Sequence, residues 1–188
     1  PVVFEKNERP GGMLTYGIPS FKLQKDVIEA EVEIIRLMGA EFRYGVEVGR
    51  DVTLDELRAQ GFKVFYVAIG CQGGRTAGVP GEDAAGIQTA VALLRTVGGD
   101  ESHKMTGKTV VIGGGNVAID AARVALRCGS SDVTMVCLEP REKMPASAEE
   151  IAEAEEEGTA IRCGYGPKEF LTKDGHVCGV VLKRCTGL

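Results

Sequence analysis

One stretch, Gly107 to Arg141, limits the possible folds more than any other: GKTVVIGGGNVAIDAARVALRCGSSDVTMVCLEPR. It opens on Thr109-Val110-Val111-Ile112, an apolar β-branched run of the length expected for a buried parallel strand. Gly113-Gly114-Gly115-Asn116-Val117-Ala118 then fits G-x-G-x-x-A. Val117, Ala121, Val124, Ala125 and Cys128 follow at helical spacing, and Gly129 stops the helix. A second apolar run, Val133 to Leu138, ends in Glu139, about twenty residues beyond Ala118. A glycine-rich turn alone would carry little weight. Strand, turn, helix, strand and terminal acid in this order form a βαβ unit for a dinucleotide.

Each position in the unit has a physical task. Gly113 permits the tight strand-to-helix turn, Gly115 lets a pyrophosphate approach the backbone, and Ala118 lets the helix lie close on the sheet. Unpaired N–H groups and the positive end of the helix hold the phosphates, while Glu139 takes ribose hydroxyls.

A chain of 188 residues has room for one large domain or two small ones. Its cysteines, Cys71, Cys128, Cys137, Cys163, Cys178 and Cys185, form no C-x-x-C pair, which argues for a reduced, cytoplasmic setting. The same spacing argues against a zinc or iron–sulfur site or a disulfide-reductase centre within the chain. A net charge of −5 gives no electrostatic reason to expect nucleic acid. No apolar run is long enough to span a membrane. The chain begins inside a strand pattern without an initiator Met, and both ends are expected to be cut from a longer polypeptide.

Val2 to Lys6 reads as a short buried strand ending in an acid, Glu5, with the same grammar as Val133 to Glu139. Arg9 to Pro19 is punctuated by Pro and Gly and is expected to form a long irregular loop packed on the core or on a flat cofactor. Lys22 to Met38 is predicted helical, with Leu23, Val27, Ala30, Ile34 and Leu37 on one face. Glu41 to Val48 reads as one or two strands. Thr53 to Glu56 is a capping box, and Val64 to Ile69 is a buried strand. Residues 71–106 are expected as a linker, Gly- and Pro-rich to about 88, with a short helix over Thr89 to Thr96. Beyond Glu139, Ser147 to Glu150 caps a Glu-dense helix expected as a solvated face. Thr159 to Cys163 is a third strand, and Phe170 to Leu182 is a hairpin turning on Asp174-Gly175.

The ordered set VFEK, RPGGMLTYGIPSFKL, VFYVAIG, GVPGED, GKTVVIGGGNVAIDAARVALR and REKMPASAEE resembles the small (β) subunit of glutamate synthase across essentially the whole chain. Ferredoxin:NADP oxidoreductase subunits and the flavin region of dihydropyrimidine dehydrogenase share this pattern. The resemblance implies an α/β flavoprotein with two dinucleotide-binding domains. Residues 1–70 would be part of an FAD-binding domain, and 107–188 a C-terminally incomplete, Rossmann-like NAD(P)H-binding domain with a parallel sheet. Glu5 would take the FAD adenosine ribose, Gly12, Met13 and Lys22 would line the flavin side, and Val48 would give a backbone contact near the adenine. Gly70 closes Ala68-Ile69-Gly70, where relatives carry Ala-Thr-Gly. Gly113, Gly114, Gly115, Asn116 and Val117 would hold the nicotinamide dinucleotide phosphates.

Many relatives carry Arg-Arg where this chain has Leu138-Glu139. An Arg pair suits the 2′-phosphate of NADPH, whereas a Glu repels it and favours NADH. Arg141 keeps a phosphate contact available. The implied chemistry is hydride transfer from NAD(P)H to FAD, then electron flow through iron–sulfur clusters outside this chain. The acceptor would be a partner such as a glutamate synthase large subunit or a ferredoxin. No acid, base, nucleophile or metal ligand is nominated, since the cofactors carry the chemistry. The alternatives are an electron-transfer subunit of a ferredoxin:NAD(P) oxidoreductase, or a nucleotide-binding piece that is inactive by itself and holds no FAD.

Overall fold

The computed structural model describes residues 1–187. The chain divides into two compact units, Pro1–Gln72 and Gly73–Leu188.

In the first unit β1 (Val2–Glu5) pairs in parallel with β2 (Glu41–Tyr44), Val2 opposite Glu41 and Glu5 opposite Tyr44. Between them lie α1 (Met13–Tyr16) and α2 (Lys25–Leu37). The loop from Arg9 to Pro19 therefore contains a helical turn that its Pro and Gly content did not predict. It is tied to its own chain: the Thr15 hydroxyl donates to Pro10 O at 2.5 Å, and Lys25 Nζ donates to Leu14 O at 2.8 Å and to Ile18 O. The loop's packing thus comes from backbone carbonyls capped by side chains. Helix α2 begins three residues later than expected, and of its residues only Ile28 is buried. Helix α3 (Leu54–Ala59) starts on the predicted capping box: Thr53 Oγ1 accepts from Glu56 N, and the Glu56 carboxylate accepts from Thr53 N.

Val64 to Ile69 does not form the expected strand. Residues 62–79 have no regular structure, and Val64, Tyr66, Val67 and Ile69 are largely exposed. A β-ladder needs a neighbour, and among the described residues β1 and β2 pair only with each other.

In the second unit α4 (Ala90–Gly99), capped by Thr89, precedes β3 (Lys108–Ile112), α5 (Asn116–Arg127) and β4 (Asp132–Cys137). Then come a short 3-10 turn at Arg141–Lys143, α6 (Ala148–Glu156) and β5 (Ala160–Cys163). β3, β4 and β5 form one parallel sheet with β4 central, the right product of two helical crossovers. The core gathers Ile119, Ala122 and Ala125 of α5, Val133 and Met135 of β4, and Ile151 and Ala154 of α6. Leu93 and Leu94 of α4 join it.

The stretch expected as a linker consequently falls mostly within this unit, because α4 buries two leucines there. Its upstream loop is also engaged. β6 (Tyr165–Lys173) and β7 (His176–Arg184) form the predicted hairpin, longer than expected. Asp174 and Gly175 take φ values of 51° and 77°, the geometry of a two-residue type I′ turn. Phe170 N donates to Pro80 O and Val177 N to Ala85 O, each at 2.9 Å, so residues 80–85 run along the hairpin.

Helix α6 is not merely a solvated face. Arg123 of α5, only 8% exposed in its side chain, is paired with Glu150, Glu153 and Glu157, and Arg127 adds a second fork to Glu157.

Candidate nucleotide site at the glycine turn

β3 runs into Gly113-Gly114-Gly115, and α5 begins at Asn116. Gly113 holds φ at 143°, a conformation that side chains disfavour, and its N–H donates to Val136 O at 2.9 Å. A methyl placed on Gly113 would lie 3.3 Å from Ala118 Cβ, so the turn and the first helical turn meet at the two smallest positions of the motif. A methyl on Gly114 would lie 2.9 Å from Cys137 Cβ and 3.0 Å from Glu139 Oε2. At Gly115 the same addition meets nothing within 4 Å, leaving that side of the backbone open.

Gly115 is the N-cap of α5, no side chain caps the helix, and no acidic residue lies in its first turn. The start of a twelve-residue helix with no side-chain cap is suited to an anion. Val117, expected on the apolar face, is instead 48% exposed beside the turn. Asn116 contributes through its backbone position and through its side chain: Oδ1 accepts from Ser147 N at 3.0 Å. That bond, with Ala146 N donating to Gly114 O at 3.0 Å, folds residues 140–147 over the edge of the glycine turn. Neither Ser147 nor Pro145, 3.4 Å from a Gly114 methyl, was marked by any sequence signal as part of this site.

Glu139, just past the end of β4, brings its carboxylate over Gly114, where the fingerprint places the ribose reader. Two residues on, Arg141 is not free to face the same spot. Its Nη1 and Nη2 donate to Glu155 Oε1 and Oε2 at 2.5 and 2.6 Å, which raises the Arg141 pKa and lowers that of Glu155. A cavity of about 230 Å³ lies beside this turn, lined by Arg141, Glu142, Met144, Ala146, Ala148 and Ile151. Below the turn, burial together with the neighbouring Cys163 pushes the Cys137 thiol up to about 12, so it is a packed thiol and no nucleophile at neutral pH.

In the first unit Glu5 ends β1, and its carboxylate accepts from Asn7 N at 2.8 Å and Asn7 Nδ2 at 2.6 Å. Just past β2, Val46 N donates to Glu5 O at 3.1 Å, whereas Val48, two residues further on, bridges to Val52. Gly12, with φ 51°, caps α1, whose first residue is Met13; Lys22 N donates to Pro19 O at 3.0 Å in the next turn. Gly70 lies in the irregular exposed stretch with φ 66°. Glu5 thus meets the chain leaving β2 at Val46 and not at Val48, while Gly12 and Met13 share a helix start.

The family model for pyridine nucleotide-disulphide oxidoreductases matches residues 4–186. The chain is 37% identical to the putative oxidoreductase AegA of Escherichia coli K12, over 97% of this chain and 29% of that protein. It is 36% identical to the Escherichia coli K12 glutamate synthase [NADPH] small chain, over 97% of this chain and 41% of the relative. It therefore spans less than half the length of these relatives. Among solved structures, Mycobacterium tuberculosis FprA in complex with NADPH superposes with a TM-score of 0.79 at 21% identity, covering 97% of this chain and 56% of FprA. Lactococcus lactis thioredoxin reductase gives 0.65 at 21% identity over 98% of this chain and 63% of the reductase. An α/β chain with parallel sheets, a glycine turn feeding an uncapped helix and a strand-end acid over that turn, it belongs to the pyridine nucleotide-disulphide oxidoreductase family.

Proposed function

We propose that the chain is the nicotinamide-nucleotide-binding part of an NAD(P)H-dependent flavoprotein oxidoreductase resembling the glutamate synthase small subunit. Residues 107–188 bind the nicotinamide dinucleotide, and 1–70 contribute to FAD binding in the longer protein. The observation that carries the reading is the position of the Glu139 carboxylate, 3.0 Å from where a Gly114 methyl would lie, beside an uncapped helix start that is open at Gly115.

The groups present fit a dinucleotide. The Asn116 and Val117 backbone at the start of α5 faces a pyrophosphate, Gly115 leaves room for it, and Glu139 accepts from ribose hydroxyls. The Asn116 side chain holds the 140–147 segment in place and so fixes the floor of the ribose pocket. For FAD the fit is partial: Glu5 stands at a strand end, but its carboxylate already serves Asn7, and Gly12 precedes a helix of only four residues. When bound, the cofactors supply hydride transfer from nicotinamide to FAD and electron passage to iron–sulfur centres and a partner. The partner is an electron-accepting subunit such as a glutamate synthase large subunit or a ferredoxin, and the setting is cytoplasmic; no described helix is long and apolar enough to cross a membrane.

Glu139 favours NADH, since a carboxylate repels a 2′-phosphate and accepts from a free 2′-hydroxyl. Calorimetric titration of the chain with NADH and NADPH tests this. NADH is expected to bind more tightly, and Glu139→Arg to reverse the order, a swing of about tenfold or more. Gly114→Ala should abolish binding of both, as its methyl meets Cys137 and Glu139. Binding of neither coenzyme to the unaltered chain would overturn the nucleotide site. A second reading, a binding module without its own redox activity, is favoured by the partial FAD fit; absence of flavin absorbance in the purified chain would support it.

A further inference from the structure

The Arg141–Glu155 fork has a meaning for coenzyme choice that no sequence motif marks. β4 delivers Glu139 to the glycine turn, and the chain then places Arg141 two residues away, at the start of the 3-10 turn. Arg141 is the residue whose planar fork would suit a 2′-phosphate. Both of its terminal nitrogens are taken by Glu155, reaching back from α6 at 2.5 and 2.6 Å. The pair is half-exposed, 47% and 41%, so it is reachable by a ligand and can be broken by one. Glu142 and Lys143 stand in the same turn, and their charges offset each other. The local excess of negative charge thus comes from Glu139 and Glu155.

The two coenzymes make different demands on this arrangement. A 2′-hydroxyl needs Glu139 alone. A 2′-phosphate must approach Glu139 and draw the Arg141 fork away from a bidentate carboxylate before it gains any compensating cation. From this we infer that Glu155 is a positioning residue for coenzyme selection: by holding Arg141 it weakens NADPH binding and leaves NADH binding alone. This rests on the nucleotide site proposed above.

The test is a calorimetric titration of the whole chain with NADH and with NADPH, for the unaltered protein, Glu155→Gln, Arg141→Ala and the double variant. Glu155→Gln should tighten NADPH about fivefold, the equivalent of the roughly 1 kcal/mol carried by an exposed ion pair. NADH affinity should stay within about twofold. In the Arg141→Ala background the gain should vanish, since there is no fork left to release. Glu155→Asp, which keeps the charge but shortens the reach, should stay close to the unaltered protein, and Glu155→Ala, which also frees the fork, replaces the Gln variant if that one unfolds. An unchanged NADPH affinity in Glu155→Gln, equal shifts for both coenzymes, or a gain that survives Arg141→Ala would each overturn the inference. Failure of the unaltered chain to bind either coenzyme would remove the nucleotide site itself and this inference with it, and that outcome is visible before any variant is made.

Discussion

Val133 to Cys137 and Val64 to Ile69 are both short apolar runs rich in β-branched residues, yet Val133 and Met135 are wholly inaccessible while Val64 and Tyr66 stand 87% and 92% exposed. Composition does not separate them. β4 has a strand on each side and α5 packed against it, so its backbone finds ladder partners on both edges and its apolar side chains find packed neighbours. The residues around 64–69 supply neither flank, and the backbone there stays irregular. Apolar sequence sets the capacity for burial; flanking elements decide whether it is used.

The comparison can be broken most forcefully from the buried side. Met135→Ala, at a position with no exposure, should cost about 2 to 5 kcal/mol in urea denaturation, because it removes packed atoms and leaves a cavity. A cost below about 1 kcal/mol would mean that β4 is not the centre of its unit's core. Arg123→Ala comes next, at about 2 kcal/mol. It takes the shared cation from Glu150, Glu153 and Glu157, although Glu157 keeps Arg127 and the carboxylates keep some contact with water.

The same network sharpens the contrast through pH. The Arg127 guanidinium, aided by Arg123 and opposed by partial burial, holds the Glu157 carboxyl at about 2 instead of its ordinary 4.5. A depressed carboxyl stabilises the fold at pH values above its unfolded pKa. The contribution, about 2 kcal/mol after allowance for solvent, should therefore be complete at neutral pH and disappear as the pH falls from about 4.5 towards 2. Glu157→Gln should flatten that part of the stability–pH curve. The smallest effect belongs to the exposed run. Val67→Thr should stay within about 0.5 kcal/mol, and a larger loss would show that the segment is packed in solution.

What could be read from the residues follows the same division. The glycine turn, the helix after it and Glu139 were legible because local spacing fixes them: a turn, a helix and a strand of set lengths leave an acid at one place only. The Asp174-Gly175 turn was legible because few dipeptides accept two positive φ angles in succession. Glu155 was not, since an acidic residue in a Glu-rich helix looks the same whether it meets water or an arginine fourteen positions earlier. The i, i+4 matching of Arg123 and Arg127 with Glu153 and Glu157 was a signal, but only once α5 and α6 were known to be neighbours. The engagement of residues 80–85 with the hairpin was likewise invisible, because it is a pairing of backbone groups far apart in the chain.

The clamp between α5 and α6 also bears on heat. Charged groups lose favourable hydration as temperature rises, so the cost of bringing Arg123 out of water falls, while the benefit of burying Ile119 or Ala154 levels off. Warming therefore shifts the relative weight in this interface from packing towards ion pairs. The contact that carries Glu155 to Arg141 is anchored by the part of the molecule that warming weakens least.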